Sequence, residues 1–131
     1  MGQMHALVDI PGTPFAVGMA RRIVEALLSA WELTEISDDA QLVVTELMGN
    51  AIDHAPGAAS YELELVRRSD GVCIYLADGS SVRPFIAHLA QESRRGRGMR
   101  LVEALSSSWG AEDHHGGKRV WADLLLTTAT A

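Results

Sequence analysis

A glutamate and an asparagine four residues apart, Glu46 and Asn50, lie in a stretch with helical periodicity. Residues at this spacing share one face of a helix, and that face is separate from the apolar stripe of Val43, Leu47 and Ala51. A carboxylate and a carboxamide supply hard oxygen ligands, which suit Mg²⁺ held directly or through water beside phosphates. Taken alone, the pair is more typical of ordinary solvated helix residues.

Asp78 is a second candidate, because it follows a hydrophobic strand pattern and precedes Gly79, where the chain must turn. A carboxylate fixed at a strand end can accept a hydrogen bond from an exocyclic amine such as that of adenine. The alternative is a turn aspartate that hydrogen-bonds its own backbone. Asp78 therefore indicates an adenine contact only in combination with other residues.

Two glycines, Gly96 and Gly98, open a third predicted helix, where free backbone N–H groups favour phosphate and glycine allows close approach. Arginines cluster around them, at Arg94, Arg95, Arg97 and Arg100. A Rossmann pattern is excluded, since no hydrophobic strand immediately precedes these glycines and Leu101 stands where a third glycine is needed. Flexible-loop glycines are the alternative interpretation.

Strands and helices that could position these residues follow from the hydrophobic periodicity. We predict strands at His5 to Ile10, Tyr61 to Val66, Val72 to Ala77, Trp109 to Asp113 and Val120 to Leu126. Helices are predicted from Pro14 to Ala30, from an N-cap at Ser37 to the Pro56-Gly57 stop signal, and from Met99 to Ser107.

This pattern predicts an α+β fold, a two-layer sandwich whose mixed, mostly antiparallel sheet carries the helices on one face. With 131 residues, 47% of them hydrophobic, we expect a single domain over residues 1–131. Periodicity alone does not predict the order of the strands.

Charge and composition exclude several classes of function. A net charge of -6 argues against direct nucleic-acid binding, which needs a basic surface. No stretch has the pattern of a signal peptide or a membrane span, so we expect a cytoplasmic protein that does not bind membranes.

His114 and His115 are adjacent in a polar turn, and we interpret them as solvated residues rather than metal ligands.

Taken together, three motifs in this order resemble the GHKL ATPase superfamily. The stretch from Glu46 to Ala55 is similar to its asparagine box, and Asp78-Gly79-Ser80 and Gly96-Arg97-Gly98-Met99 are similar to its two glycine boxes. The closing Gly117-Lys118-Arg119-Val120-Trp121 resembles the last strand of its small anti-sigma-factor serine kinases. The resemblance spans about Pro11 to Leu126.

The resemblance implies a role for each matching position. Asn50 would bind Mg²⁺, Glu46 would act as general base or orient the attacking group, and Asp78 would bind the adenine amine. Gly96 and Gly98 would approach the phosphates of ATP. The remaining expected nucleotide contacts are Ser80, Arg94, Arg95, Arg97 and Met99.

For function, the resemblance implies an ATP-dependent serine/threonine protein kinase that phosphorylates an anti-anti-sigma protein and alternately sequesters a sigma factor. The resemblance is also compatible with a homodimer. The alternative is a non-catalytic module in which ATP orders the lid, the segment between Asp78 and Gly96, and creates a protein-docking surface. Both functions require ATP, and only the first requires Glu46 for chemistry.

Overall fold

The computed structural model describes residues 4–78, 96–115 and 117–126, with the backbone alone described for residues 96–98. Every predicted helix and strand is present within these ranges. In chain order they are β1 (His5–Pro11), α1 (Ala16–Ala30), a 3₁₀ turn (Thr34–Ile36), α2 (Ser37–His54), β2 (Ser60–Arg68), β3 (Gly71–Ala77), α3 (Gly96–Leu105), β4 (Ser108–His114) and β5 (Gly117–Leu125).

The five strands form one sheet in the order β1-β2-β3-β5-β4. Within the described residues every pairing is antiparallel, so the parallel pairs expected in a mixed sheet are not found there. Hairpins join β2 to β3 and β4 to β5. The last strand, β5, lies between β3 and β4, so it is an interior strand of the sheet.

One hydrophobic core lies between the sheet and the helices. Alternate residues of the strands point into it, including Ile10, Leu63, Ile74 and Leu124, and the helices contribute residues such as Leu47. The other face of the sheet carries polar side chains and has no helix from the described residues packed on it. This arrangement confirms the α+β sandwich with helices on one face.

The start of α2 differs from the prediction. Ser37 is not an N-cap, because the 3₁₀ turn Thr34–Ile36 leads directly into α2 and Ser37 already has helical angles, φ −64° and ψ −42°. Its hydroxyl instead accepts a hydrogen bond from the Gln41 side chain at 3.1 Å. Asp38 and Asp39 do lie in the first turn, where carboxylates favour the positive end of the helix dipole.

The predicted third helix, α3, is shifted toward the N-terminus. It begins at Gly96 rather than Met99, so Gly96 and Gly98 both belong to its first turn. It ends at Leu105, because the backbone N–H of Ser107 donates to the carbonyl of Asp123 in β5. This bond places the end of α3 beside β5, and β4 begins at the next residue, Ser108.

The turn between β4 and β5 corrects the interpretation of one histidine. His114 is not a solvated turn residue, because its side chain is only 17% exposed and its Nε2 lies 2.6 Å from Oε1 of Glu62 in β2. The strand β4 continues through His114, which brings it over the polar face of the sheet. His115 is exposed in the turn, with a φ of 48°.

Candidate functional site

Helix α2 places two of the predicted site residues one turn apart. Asn50 is buried, with only 4% of its surface exposed, whereas Glu46 is partly buried. The interpretation as solvated helix residues is therefore wrong for Asn50. The position is buried because α2 packs against α1 on one side and α3 on the other. A buried carboxamide needs polar partners, since an unsatisfied one is costly.

The partner of Asn50 is a methionine from α3. Asn50 Nδ2 donates to the thioether sulfur Sδ of Met99 at 2.9 Å, and Met99 is itself 5% exposed. Two predicted site residues that are 49 positions apart in the chain are thus in direct contact. The contact joins the asparagine box to the helix that begins with the glycine pair.

Asp78 lies immediately after β3 and is 4% exposed. In the β2–β3 hairpin Glu62 pairs with Ala77, so Tyr61 and Asp78 follow next in register. Burial raises the pKa of the Tyr61 phenol above its ordinary 10.0, and the nearby negative charge of Asp78 raises this pKa further. The predicted adenine contact is thus a buried carboxylate beside the Tyr61 hydroxyl.

Tyr61 is a residue that the sequence reasoning missed. Its hydroxyl donates to the backbone carbonyl of Ala55, the C-cap of α2, at 2.8 Å. The connection between α2 and β2 is therefore fixed next to Asp78. The sequence signal that could have identified Tyr61 is an aromatic residue at the start of the strand that pairs with β3.

The same connection also packs against the turn after β1. Gly12 donates from its backbone N–H to Ala59 O at 2.9 Å. A Cβ at Gly12 would lie 2.1 Å from the carbonyl oxygen of Ala58, which only a residue without a side chain avoids. Tyr61 and Gly12 thus both hydrogen-bond to carbonyl groups of this connection.

The predicted phosphate-binding part of the site is only partly described. The backbone of Gly96, Arg97 and Gly98 forms the first turn of α3. The N–H groups in the first turn of a helix have no partner within the helix, which suits them to bind an anion. Ser80, Arg94 and Arg95 lie outside the described residues. The predicted nucleotide contacts at these positions therefore remain predictions.

A cleft of about 400 Å³ lies near the C-terminal end of α2. It is lined by Gly12, Thr13, Pro14, Ile52, Pro56 and Tyr61. Among the described residues of this lining, none is a predicted nucleotide contact. The cleft adjoins the candidate site at Tyr61, which lies beside Asp78.

The sequence was also compared with models of known protein families, and one family matches. The family model of the histidine kinase-like ATPase domain matches residues 10–124, which is most of the chain. The chain belongs to this family, and the expected GHKL-type ATPase fold is confirmed. Membership implies ATP binding, and the family includes ATP-dependent kinases.

No curated protein shows significant similarity to the chain. The family match therefore establishes the class of protein, while the anti-sigma kinase branch and the partners remain proposals. Among the described residues, none of the helices has the combination of length and apolar character that crossing a bilayer requires.

Proposed function

We propose that this protein is a Mg-ATP-dependent serine/threonine protein kinase of the anti-sigma-factor type. The observation that supports this proposal is the buried Asn50 carboxamide at the contact of α2 with α3, with Glu46 one turn away on α2. A metal ligand and a catalytic carboxylate at this spacing lie on the same side of one rigid helix.

The residues around Asn50 fit a bound Mg²⁺. The nitrogen of the carboxamide faces the Met99 sulfur, so its oxygen Oδ1 points away from Met99. A neutral oxygen ligand held by a rigid helix is suited to Mg²⁺, which binds through a few protein ligands together with phosphates and water. When bound, the ion would neutralise charge on the phosphates of ATP.

Asp78 is the proposed adenine contact. Its carboxylate is buried at the end of β3, in surroundings where a hydrogen bond to an exocyclic amine would discriminate adenine from guanine. The backbone of Gly96 and Gly98 would bind phosphate at the first turn of α3. Ser80, Arg94, Arg95 and Arg97 complete the proposed nucleotide contacts.

Glu46 is the proposed catalytic residue. Its carboxylate would accept the proton of the attacking hydroxyl, or orient that hydroxyl toward the γ-phosphate. The proposed substrate is a serine or threonine of an anti-anti-sigma protein, and a sigma factor is the alternating partner. The resemblance of the motifs supports this choice of partners, and the net charge of -6 disfavours direct contact with nucleic acid.

The kinase proposal is tested by Glu46→Gln, which retains size and removes basicity. A group that acts chiefly in the transition state can be lost without losing the bound nucleotide. We expect the variant to bind Mg-ATP and a cognate anti-anti-sigma partner, while phosphate transfer falls by about 10²-fold or more. Mass spectrometry of the partner measures the phosphorylated product.

Glu25→Gln is the matched control, because Glu25 is an exposed carboxylate on α1 away from α3. It should leave phosphate transfer unchanged. If the wild-type protein binds ATP and the partner but produces no phosphoserine or phosphothreonine, the kinase proposal is wrong. The non-catalytic ATP-dependent binding module then becomes the better description.

A further inference from the structure

The contact between Asn50 and Met99 has a chemical direction. A thioether sulfur can only accept a hydrogen bond, and the carboxamide nitrogen can only donate. Rotation of the amide by half a turn would place Oδ1 against the sulfur, so that two acceptors faced each other. Because both residues are almost fully buried, water cannot relieve that arrangement at low cost.

We infer that Met99 is a positioning residue that selects the Asn50 orientation in which Oδ1 is presented to the Mg²⁺ of bound ATP. The inference rests on the proposed function, in which Asn50 is the metal ligand. Without an acceptor at position 99, both orientations of the carboxamide become accessible. Only the fraction of molecules with Oδ1 facing outward would then be competent for Mg²⁺, which lowers the apparent affinity.

The same contact couples the metal site to α3. A carboxamide whose oxygen is coordinated to a cation becomes a stronger donor through its nitrogen. The Asn50–Met99 hydrogen bond therefore strengthens when the oxygen is occupied, and thermodynamic reciprocity requires that the bond favour metal binding by the same factor. Since Met99 lies in the turn after Gly98, this coupling would hold the start of α3 against α2 when ATP is bound.

The direct test uses the free protein. Asn50 is the single asparagine of the chain, so ¹⁵N-asparagine labelling gives one side-chain amide pair in the NMR spectrum. We expect cross-peaks between these amide protons and the Met99 methyl group. We also expect slow exchange of the amide protons with solvent, which should become about 10-fold faster in Met99→Leu. Absence of both features in the folded wild-type protein would overturn the inference without any variant.

The second test is calorimetry of ATP binding to wild type and Met99→Leu, with Mg²⁺ and with EDTA. Leucine retains apolar volume and removes the acceptor. The loss of Mg-ATP affinity should exceed the loss of metal-free ATP affinity by on the order of five-fold, because only the first depends on the orientation of the Asn50 carboxamide. Met48→Leu, at a fully buried methionine of α2, is the matched control and should change neither affinity.

The outcomes separate this inference from the proposed function. Equal losses with and without Mg²⁺ would assign Met99 a packing role, and no loss in either condition would remove it from the site. Either result would overturn the inference while leaving ATP binding intact. If wild type does not bind Mg-ATP at all, the proposed function fails and the inference fails with it.

Discussion

Tyr61 near the start of β2 and Ala55 at the end of α2 are joined by a hydrogen bond of 2.8 Å from the phenol to the backbone carbonyl. This bond fixes the chain between the asparagine-box helix and the sheet. Tyr61 also lies next to Asp78. Tyr61 has no expected role in chemistry, but it connects two parts of the candidate ATP site.

Removing this hydroxyl should affect both stability and ATP binding. We expect Tyr61→Phe to lower the free energy of unfolding in urea by about 1–2 kcal/mol, because the partly buried Ala55 carbonyl loses its donor. ATP affinity should fall several-fold, since the connection beside Asp78 is loosened. Tyr75→Phe is the control, because Tyr75 lies on the opposite face of the sheet and its loss should leave ATP affinity unchanged.

The titration of Tyr61 should report the charge of Asp78. The chain has two tyrosines, so the absorbance of a Tyr75→Phe background follows Tyr61 alone. We expect the pKa of Tyr61 to lie above 10.0, because of burial and the charge of Asp78. Asp78→Asn removes the smaller of these two causes, so the pKa should fall but stay above 10.0. A pKa unaffected by Asp78→Asn would show that the two side chains do not interact.

The raised pKa of Tyr61 also makes stability depend on pH. Above the ordinary pKa of 10.0, the folded state retains a proton that the unfolded chain has lost. The contribution to stability is therefore complete below that pH and is lost as the pH rises through the folded-state pKa. Asp78→Asn should lower the folded-state pKa, so the loss should still begin near 10.0 but should be smaller and end at lower pH, as denaturant unfolding across the alkaline range would measure.

Asp78 should determine the choice of base. Asp78→Asn replaces an acceptor oxygen with a donor amide, and we expect a loss of about 1–3 kcal/mol of ATP binding free energy if the carboxylate contacts the adenine amine. GTP binding should be weak in wild type and should not fall further. Asp70→Asn, in the exposed turn between β2 and β3, is the control. Equal binding of ATP and GTP by wild type would contradict the assignment.

We expect Asn50 to strengthen nucleotide binding through its contact with Mg²⁺. Asn50→Ala removes the proposed oxygen ligand, so calorimetry should show weaker nucleotide binding in the presence of Mg²⁺ and little change in EDTA. Gln41→Ala, on the same helix but hydrogen-bonded to Ser37, should leave both measurements unchanged. An unchanged Mg²⁺ dependence in the folded Asn50→Ala protein would exclude Asn50 as the ligand.

Much of the fold could be predicted from the sequence because its elements depend on local properties. Alternating apolar residues identify the strands, and the 3.6-residue period identifies the helices. The prediction was wrong at the starts of two helices, where residues expected to form a cap or a loop lie inside the helix. Ser37 was expected to cap α2, but the preceding turn was already helical, and α3 started earlier because Gly96 and Gly98 continue its first turn.

The sequence by itself determined the secondary structure, the α+β class and the ordered motifs that indicate an ATP site. Only the tertiary structure decided the strand order, the burial of Asn50 against Met99, the position of Tyr61 beside Asp78 and the pairing of His114 with Glu62. The physical reason is the distance along the chain. Local periodicity carries no information about which residue meets another 49 or 52 positions away, because that depends on how strands pair and helices pack.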